Sequence, residues 1–419
     1  MVTDVNGVRE GYKMTELGEI PEEWEVKTLG DITEITMGQS PASNTYNDLG
    51  KGIPFYQGKA EFGRKFPQVK KWCTQPTKIA QENDVLFSVR APVGEVNMCQ
   101  EESCIGRGLG SIRAINGKSF NWYLYFLLQY SKTKFSSLGQ GSTFTAINGK
   151  ELREFRIPTP PYKEQQNIAE ILSTVDETIE KTNQLLEKTK ELKKGLMQQL
   201  LTKGIGHTTF KQTELGEIPE GWEVKELESI SKITRLAGAE YSDLWKTSDE
   251  GEIVALRGYN IGENSLKLEK IERITSELSQ KLIRSKLFKG DIVFPCVGTI
   301  GKATLIVDDN KYHINQNIAK ISPSNSIDPL YLVYCLMSPY IKMQILKYNT
   351  SSSQPNILVG NLRKFRIIVP TLTEQQKIAD ILSSVDDSIV SFENEKKRYQ
   401  KMKKGLMQQL LTGKKRVNI

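Results

Sequence analysis

Three groups of residues have types and spacings that could do chemistry. Gly298-Thr299-Ile300-Gly301-Lys302 has the glycines and lysine of a phosphate-cradling loop, in which backbone N–H groups surround a phosphate and the lysine reaches its outer oxygens. The first glycine is misplaced for that pattern, however, and Ala303 stands where a Ser or Thr is needed for magnesium. Pro21-Glu22 with Glu25-Val26-Lys27 looks like the carboxylates and lysine of a metal-dependent nuclease, and Pro219-Glu220 with Glu223-Val224-Lys225 repeats it. These acids lie too close together in sequence to flank a metal from two separate elements. A turn before an edge strand, with Trp24 and Trp222 buried, explains them better. His207 and His313 are the only histidines, which removes most imidazole metal sites. The sequence has no Asn-Pro-Pro-aromatic stretch for adenine methylation, no glycine fingerprint opening a helix after a strand, and no nucleophile elbow.

The third group belongs to a binder. Polar and basic residues recur in the loops of both halves of the chain. The first half offers Gln57, Lys59, Arg64, Lys65, Arg90, Arg107, Ser142 and Thr143. The second offers Arg257, Tyr259, Asn260, Lys302, Gln316, Asn317, Ser352, Ser353, Gln354 and Asn356. Arginine suits guanine and Asn or Gln suits adenine in the major groove, while Lys and Ser suit phosphates. Any one of these alone reads as a solvated loop residue; as a set, recurring in both halves, they suit a DNA-binding surface.

The elements that must position this set are duplicated. Lys193-Lys194-Gly195-Leu196-Met197-Gln198-Gln199-Leu200-Leu201-Thr202 recurs 210 residues later as Lys403-Lys404-Gly405-Leu406-Met407-Gln408-Gln409-Leu410-Leu411-Thr412. Glu164-Gln165-Gln166-x-Ile168-Ala169 recurs as Glu374-Gln375-Gln376-x-Ile378-Ala379, and Leu17-Gly18-Glu19-Ile20-Pro21-x-x-Trp24 as Leu215-Gly216-Glu217-Ile218-Pro219-x-x-Trp222. From Lys163 to Lys203 there is no proline and only Gly195 as glycine, and positions a, d and e of a heptad begun at Ile168 are mostly apolar, interrupted by Thr178, Thr182, Thr189, Lys193 and Gln199. About 40 residues at ~1.5 Å each make a rod of roughly 60 Å, which cannot bury its own stripe. The second copy is its natural partner in an antiparallel coiled coil. The globular parts read as short strands and loops with one late aromatic helix each, Trp122–Leu128 and Leu330–Leu336, whose rings suit a core more than a base-stacking platform. The fold class is therefore α+β. Expected boundaries are 1–160 and 213–370 for the globular parts, 161–203 and 371–414 for the helices, 204–212 for a linker and 415–419 for a tail.

Composition sets the limits. The 419 residues carry 57 Lys+Arg against 50 Asp+Glu, a net charge of +7 that suits a polyanion partner. Five cysteines without a CxxC pair imply a reducing, cytoplasmic setting. The N-terminus lacks the apolar core of a signal peptide, and no apolar run reaches the ~20 residues a membrane span needs.

The duplicated openings, helix starts and Gly-Leu-Met-Gln-Gln-Leu-Leu helix ends together resemble the specificity subunit of a type I restriction–modification system, over essentially the whole chain. The resemblance implies two target recognition domains in pseudo-twofold repeat, separated by the coiled coil, each reading half of a bipartite site in double-stranded DNA. It implies a non-catalytic subunit that directs methylation and cleavage by others. Two modification subunits would bind S-adenosylmethionine and dock on the helices, here through Leu196, Met197, Gln198 and Leu200, and Leu406, Met407, Gln408 and Leu410. Restriction subunits would add ATP- and Mg-dependent translocation and cleavage. The chain itself would need no cofactor and no metal. The rival reading is a stand-alone DNA methyltransferase or nuclease.

Overall fold

The computed structural model describes residues 8–138, 146–236, 245–349 and 355–417. The chain divides into two compact units, Met1–Asn183 with Asn394–Ile419, and Gln184–Glu393. Both divisions fall inside a long helix, Tyr162–Lys203 or Leu372–Leu410, and not at the helix ends expected from sequence. Each unit thus holds one globular part, the first half of the helix that follows it, and the second half of the other helix.

Burial explains this division. In unit 1 the first long helix buries Ile168, Leu172, Val175 and Ile179, and the second buries Met407 and Leu410 in the same apolar cluster as Ile168 and Leu172. Unit 2 buries Leu200, Leu201, Ile378 and Leu382 together. The buried seam follows positions a and e. Of the expected d row of the first helix, Ile171 packs against it, but Leu185 and Leu192 are 49% and 55% exposed. Ion pairs set the direction. In unit 1 Lys403 pairs with Asp176 at 2.7 Å and Arg416 with Glu164 at 2.8 Å. In unit 2 Lys193 pairs with Asp386 at 2.6 Å and Lys190 with Glu393 at 3.6 Å. Moving up one helix means moving down the other, so the two segments within each unit are antiparallel.

The globular parts share one plan. Unit 1 has an antiparallel sheet in the order Val96–Met98, Val85–Ser88, Leu109–Ala114, Thr33–Met37. Unit 2 repeats it as Thr304–Leu305, Ile292–Pro295, Ile318–Pro323, Ser231–Arg235. A second sheet in each contains one parallel pair, Ile53–Tyr56 with Ser103–Ile105 and Ile253–Leu256 with Tyr312–Ile314. The aromatic helices Asn121–Tyr130 and Pro329–Met337 bury Tyr123–Leu128 and Tyr331–Met337, so their rings are core. The second is started by Pro329 and by Asp328, which accepts the Tyr331 N–H at 2.8 Å.

The duplicated motifs meet in one clasp per unit. Trp24 donates its indole N–H to Glu164 at 2.9 Å, and Trp222 to Glu374 at 3.0 Å. Arg416 closes the first clasp with two bonds to Glu164, and His207 closes the second at 2.8 Å from Glu374. The chain reaches these positions through Gly413 and Gly204, both in the left-handed region, where a Cβ would lie 2.4 Å from Pro21 and 2.5 Å from Trp222. Gln165 and Gln375, both fully buried, accept the N–H of Phe120 and of Asp328 and so fix the start of each aromatic helix. The Pro-Glu-x-x-Glu-x-Lys stretches are turn and strand: Trp24 and Trp222 are buried, and Glu25 and Glu223 pair with their own strand neighbours Lys27 and Lys225.

Candidate nucleic-acid interface

A chain of backbone hydrogen bonds gathers the candidate loops of unit 1 onto one rim. Val89 donates to the Gly108 carbonyl at 3.0 Å, Ile147 to Val89 at 2.9 Å, Gly108 to Gln57 at 3.2 Å and Gly106 to Tyr56 at 2.8 Å. Gly38 donates to Leu109 at 2.8 Å, and a Cβ there would stand 2.2 Å from the Gly106 carbonyl. Only glycine permits so close a crossing. The rim presents Ser40, Gln57, Arg90 and Arg107. The Gln57 amide donates to Ser40 Oγ at 2.9 Å, and the Arg107 N–H reaches the same oxygen at 3.4 Å. Arg90 and Arg107 are exposed, and among the described residues no carboxylate pairs with either guanidinium.

Unit 2 builds the same rim with other side chains. Cys296 donates to Asn317 at 2.8 Å and Ile357 to Cys296 at 2.9 Å. The bridge between Val297 and Asn356 matches that between Arg90 and Ala146. By this register Gln316 occupies the place of Arg107, and Asn317 that of Gly108. Lys302 lies where unit 1 has Glu95, since Ile292 pairs with Leu305 as Val85 pairs with Met98. The phosphate-loop resemblance ends here: the Gly298 and Ile300 amides donate to Pro355 and Gly298 carbonyls, and the loop runs into a strand.

Other candidates lie elsewhere. Lys59 pairs with Glu95 at 2.9 Å, beside Lys132 at 2.7 Å. Burial pushes the Glu95 carboxyl up, but the two lysines outweigh it and hold it below its ordinary range. Arg64 pairs with Glu180 on the first long helix, and Lys65 lies over the Trp122 ring at 4.4 Å, both away from the rim. Asn260 requires a correction. It is fully buried, and its amide donates to Lys267 and Lys270 carbonyls at 2.7 and 2.8 Å, so it folds its own loop and cannot reach a base. Arg257 pairs with Glu272, while Tyr259 is 44% exposed with its hydroxyl 3.4 Å from Glu272. Asn356 is half-buried and donates its N–H to Asn349. Ser142, Thr143, Ser352, Ser353 and Gln354 lie outside the described residues.

The proposed docking motif is also corrected. Leu200, Met407 and Leu410 are buried, and Leu196, Met197 and Leu406 pack against the same cores, so these side chains already cover the protein's own apolar surface. Gln198 and Gln408 alone of that set face solvent. Sequence reasoning missed Lys232, Arg235, Arg284, Lys320 and Arg363. The alternation of Ser231-Lys232-Ile233-Thr234-Arg235 was the available signal, since Lys232 must then point away from buried Ile233. Burial lowers the Lys320 pKa from its ordinary value, with Asp291 opposing and Lys232 adding to the shift. Burial likewise lowers His313 to about 4; both its ring nitrogens meet serine hydroxyls, Ser279 at 2.8 Å and Ser285 at 2.9 Å. Among the described residues no three or more His, Cys, Asp or Glu gather as a metal site, and no helix is long and apolar enough to cross a membrane.

The family described as "Type I restriction modification DNA specificity domain" matches the chain twice, at residues 21–191 and 219–401. The chain is similar to the putative type I restriction enzyme MjaX specificity subunit of Methanocaldococcus jannaschii, 45% identical over 193 residues, 46% of this chain and 45% of that one. It thus spans less than half the length of that relative. The similarity to the MjaVIII specificity subunit of the same organism is 30% over 409 residues, covering 95% of this chain and 94% of the other. In fold it is similar to the type I restriction–modification S subunit from M. genitalium, with a TM-score of 0.60 at 16% identity, over 93% of this chain and 96% of that one.

Proposed function

Because the chain belongs to the family of type I restriction–modification DNA specificity proteins, we propose that each unit lays its rim in the major groove and reads one half of a bipartite site. The observation that carries this is the matched rim. The same backbone ladder holds Arg107 in unit 1 and Gln316 in unit 2. Arginine pairs two-pronged with guanine and glutamine with adenine, so equivalent positions would call for different bases. Arg90, Gln57 and Ser40 complete the reading set of unit 1. In unit 2 Asn317 and Asn356 flank Gln316, and Lys302 contacts phosphate.

The chain serves as the targeting part of an assembly and brings no chemistry of its own. Two modification subunits would hold S-adenosylmethionine, and restriction subunits ATP and Mg, in the cytoplasm where the DNA lies. Leu185, Leu192 and Val390 of unit 2, each about half exposed on the long helices, offer an apolar docking row in place of the buried repeat motif. Single-molecule methylome sequencing of a host with and without the gene tests the assignment. Methylated adenines should appear in a two-part motif only with the gene present. Replacing residues 28–150 by those of a relative should change one half of that motif; a change in both halves would refute separate reading.

A further inference from the structure

We propose that unit 2 carries, beside its rim, a cleft that grips the phosphodiester backbone of duplex DNA and has no counterpart among the described residues of unit 1. The cleft encloses about 1020 Å³. Its lining includes Lys232, Arg235, Arg284, Lys320 and Arg363, with Glu228 the single carboxylate among the described residues. The sheet register explains the gathering. Lys320 pairs with Thr234 and Ser322 with Lys232, so one face of the sheet carries both lysines while Ile233 and Ile321 fill the core behind. Arg235 donates its Nε–H to the Gln316 carbonyl, which joins the cleft to the rim. A backbone phosphate held there would lie next to the base that Gln316 reads.

Unit 1 builds the same face without this excess of cations. Register places Glu34 at the position of Lys232, Met37 at that of Arg235 and Ser111 at that of Lys320. Arg113 is held by Asp84 at 2.8 and 3.0 Å and lies 3.9 Å from Glu34. Arg153, the match of Arg363, donates to the Gly149 and Ile35 carbonyls. Small-molecule pockets span roughly 300–1,000 Å³ and are mostly apolar. A cleft at the top of that range, lined by five cations of which Lys320 and Arg235 also donate to the Lys286 and Gln316 carbonyls, suits an extended polyanion better, and phosphate contacts position a duplex without reading it. This inference rests on the DNA-specificity reading.

The test uses the full chain and a fluorescein-labelled duplex of about 30 base pairs and mixed sequence, followed by anisotropy between about 50 and about 200 mM KCl. Lys232→Gln with Arg363→Gln should lower the salt slope by nearly two, about one per lost phosphate contact. Binding should weaken to the same extent for every duplex sequence. Glu34→Gln, on the matched face of unit 1, should not lower the slope, and millimolar ATP should not displace the duplex. Melting curves matching the wild type establish that the variants fold, and Lys232→Arg should restore its part of the slope. An unchanged slope in the double variant, with wild-type binding intact, overturns the cleft and leaves the DNA reading standing. Displacement by ATP also overturns it, in favour of a nucleotide site. Absence of salt-dependent duplex binding by the wild type overturns the DNA reading and the cleft with it.

Discussion

Units 1 and 2 order and pair their main sheet strands alike, yet their side chains part company at matched positions in a regular way. Where a side chain holds the frame, the two units agree: Trp24 and Trp222, Glu164 and Glu374, Gln165 and Gln375. Where it faces solvent near the rim, they disagree, often in charge: Glu34 against Lys232, Glu95 against Lys302, Arg107 against Gln316. The duplicated parts of this chain are thus its scaffold, and the unlike parts are free to choose a ligand. A third class lies between. Inside the frame, unit 2 has His313 where unit 1 has Cys104, and His207 closes a clasp that Arg416 closes in unit 1.

That third class gives the largest expected difference. His313 prefers the neutral form in the folded protein, with its pKa lowered to about 4 by burial. The unfolded chain then binds more protons between about pH 6.5 and pH 4, so stability falls as pH drops through that window. The loss over the whole window is on the order of 3 kcal/mol. Cys104 is pushed the other way, to about 11, and stays neutral throughout. Urea midpoints measured from pH 7 to pH 4.5 should therefore fall more steeply in the wild type than in His313→Asn. Equal slopes would remove the acid asymmetry between the units.

The clasps come next. Glu164→Ala strands a buried indole N–H and leaves the Arg416 guanidinium with Glu23 alone, at about 2 to 3 kcal/mol. Glu374→Ala should cost about 1 kcal/mol less, because the half-buried His207 ring keeps contact with water. Denaturant titrations with matched m-values check this, and equal losses would mean that the closing residue is irrelevant. At the rim, Gln316→Ala and Arg107→Ala should each relax one position, in opposite halves of the site, at about 1–3 kcal/mol of discrimination. If either variant relaxed both halves, the division of labour between the units would be wrong. Smallest is Lys302→Ala, which should lower the salt slope by about one and leave base preference unchanged. A Lys302 variant with a new preference would move that residue from phosphate to base.

The two helices were legible because periodicity and the lack of proline act over short range. Their partners were not. Met407 and Leu200 look like exposed docking residues in sequence, and become core only because the helix end returns to a globular part far along the chain. Gln57, Arg90 and Arg107, chosen by loop position and residue type, come together on one rim because the backbone ladder joins their loops. Asn260 was misjudged because an amide that folds its own loop has the same sequence signature as one that reads adenine. The basic cleft escaped notice because its cations come from segments between Lys232 and Arg363 that only the sheet brings together.

The clasp of Trp24 and Glu164 with Arg416 bears on how the molecule is made. Unit 2 ends at Glu393, whereas unit 1 needs Asn394 onward for Met407, Leu410 and Leu411 of its core and for the arginine that closes its clasp. A ribosome delivers that last piece after the whole of unit 2 has emerged. Domains usually mature in the order in which they are synthesised. Here the order inverts: the first globular part waits, its apolar surface open to chaperones, while the second folds, and translation stalled or cut short after Glu393 leaves a finished second half attached to an unfinished first.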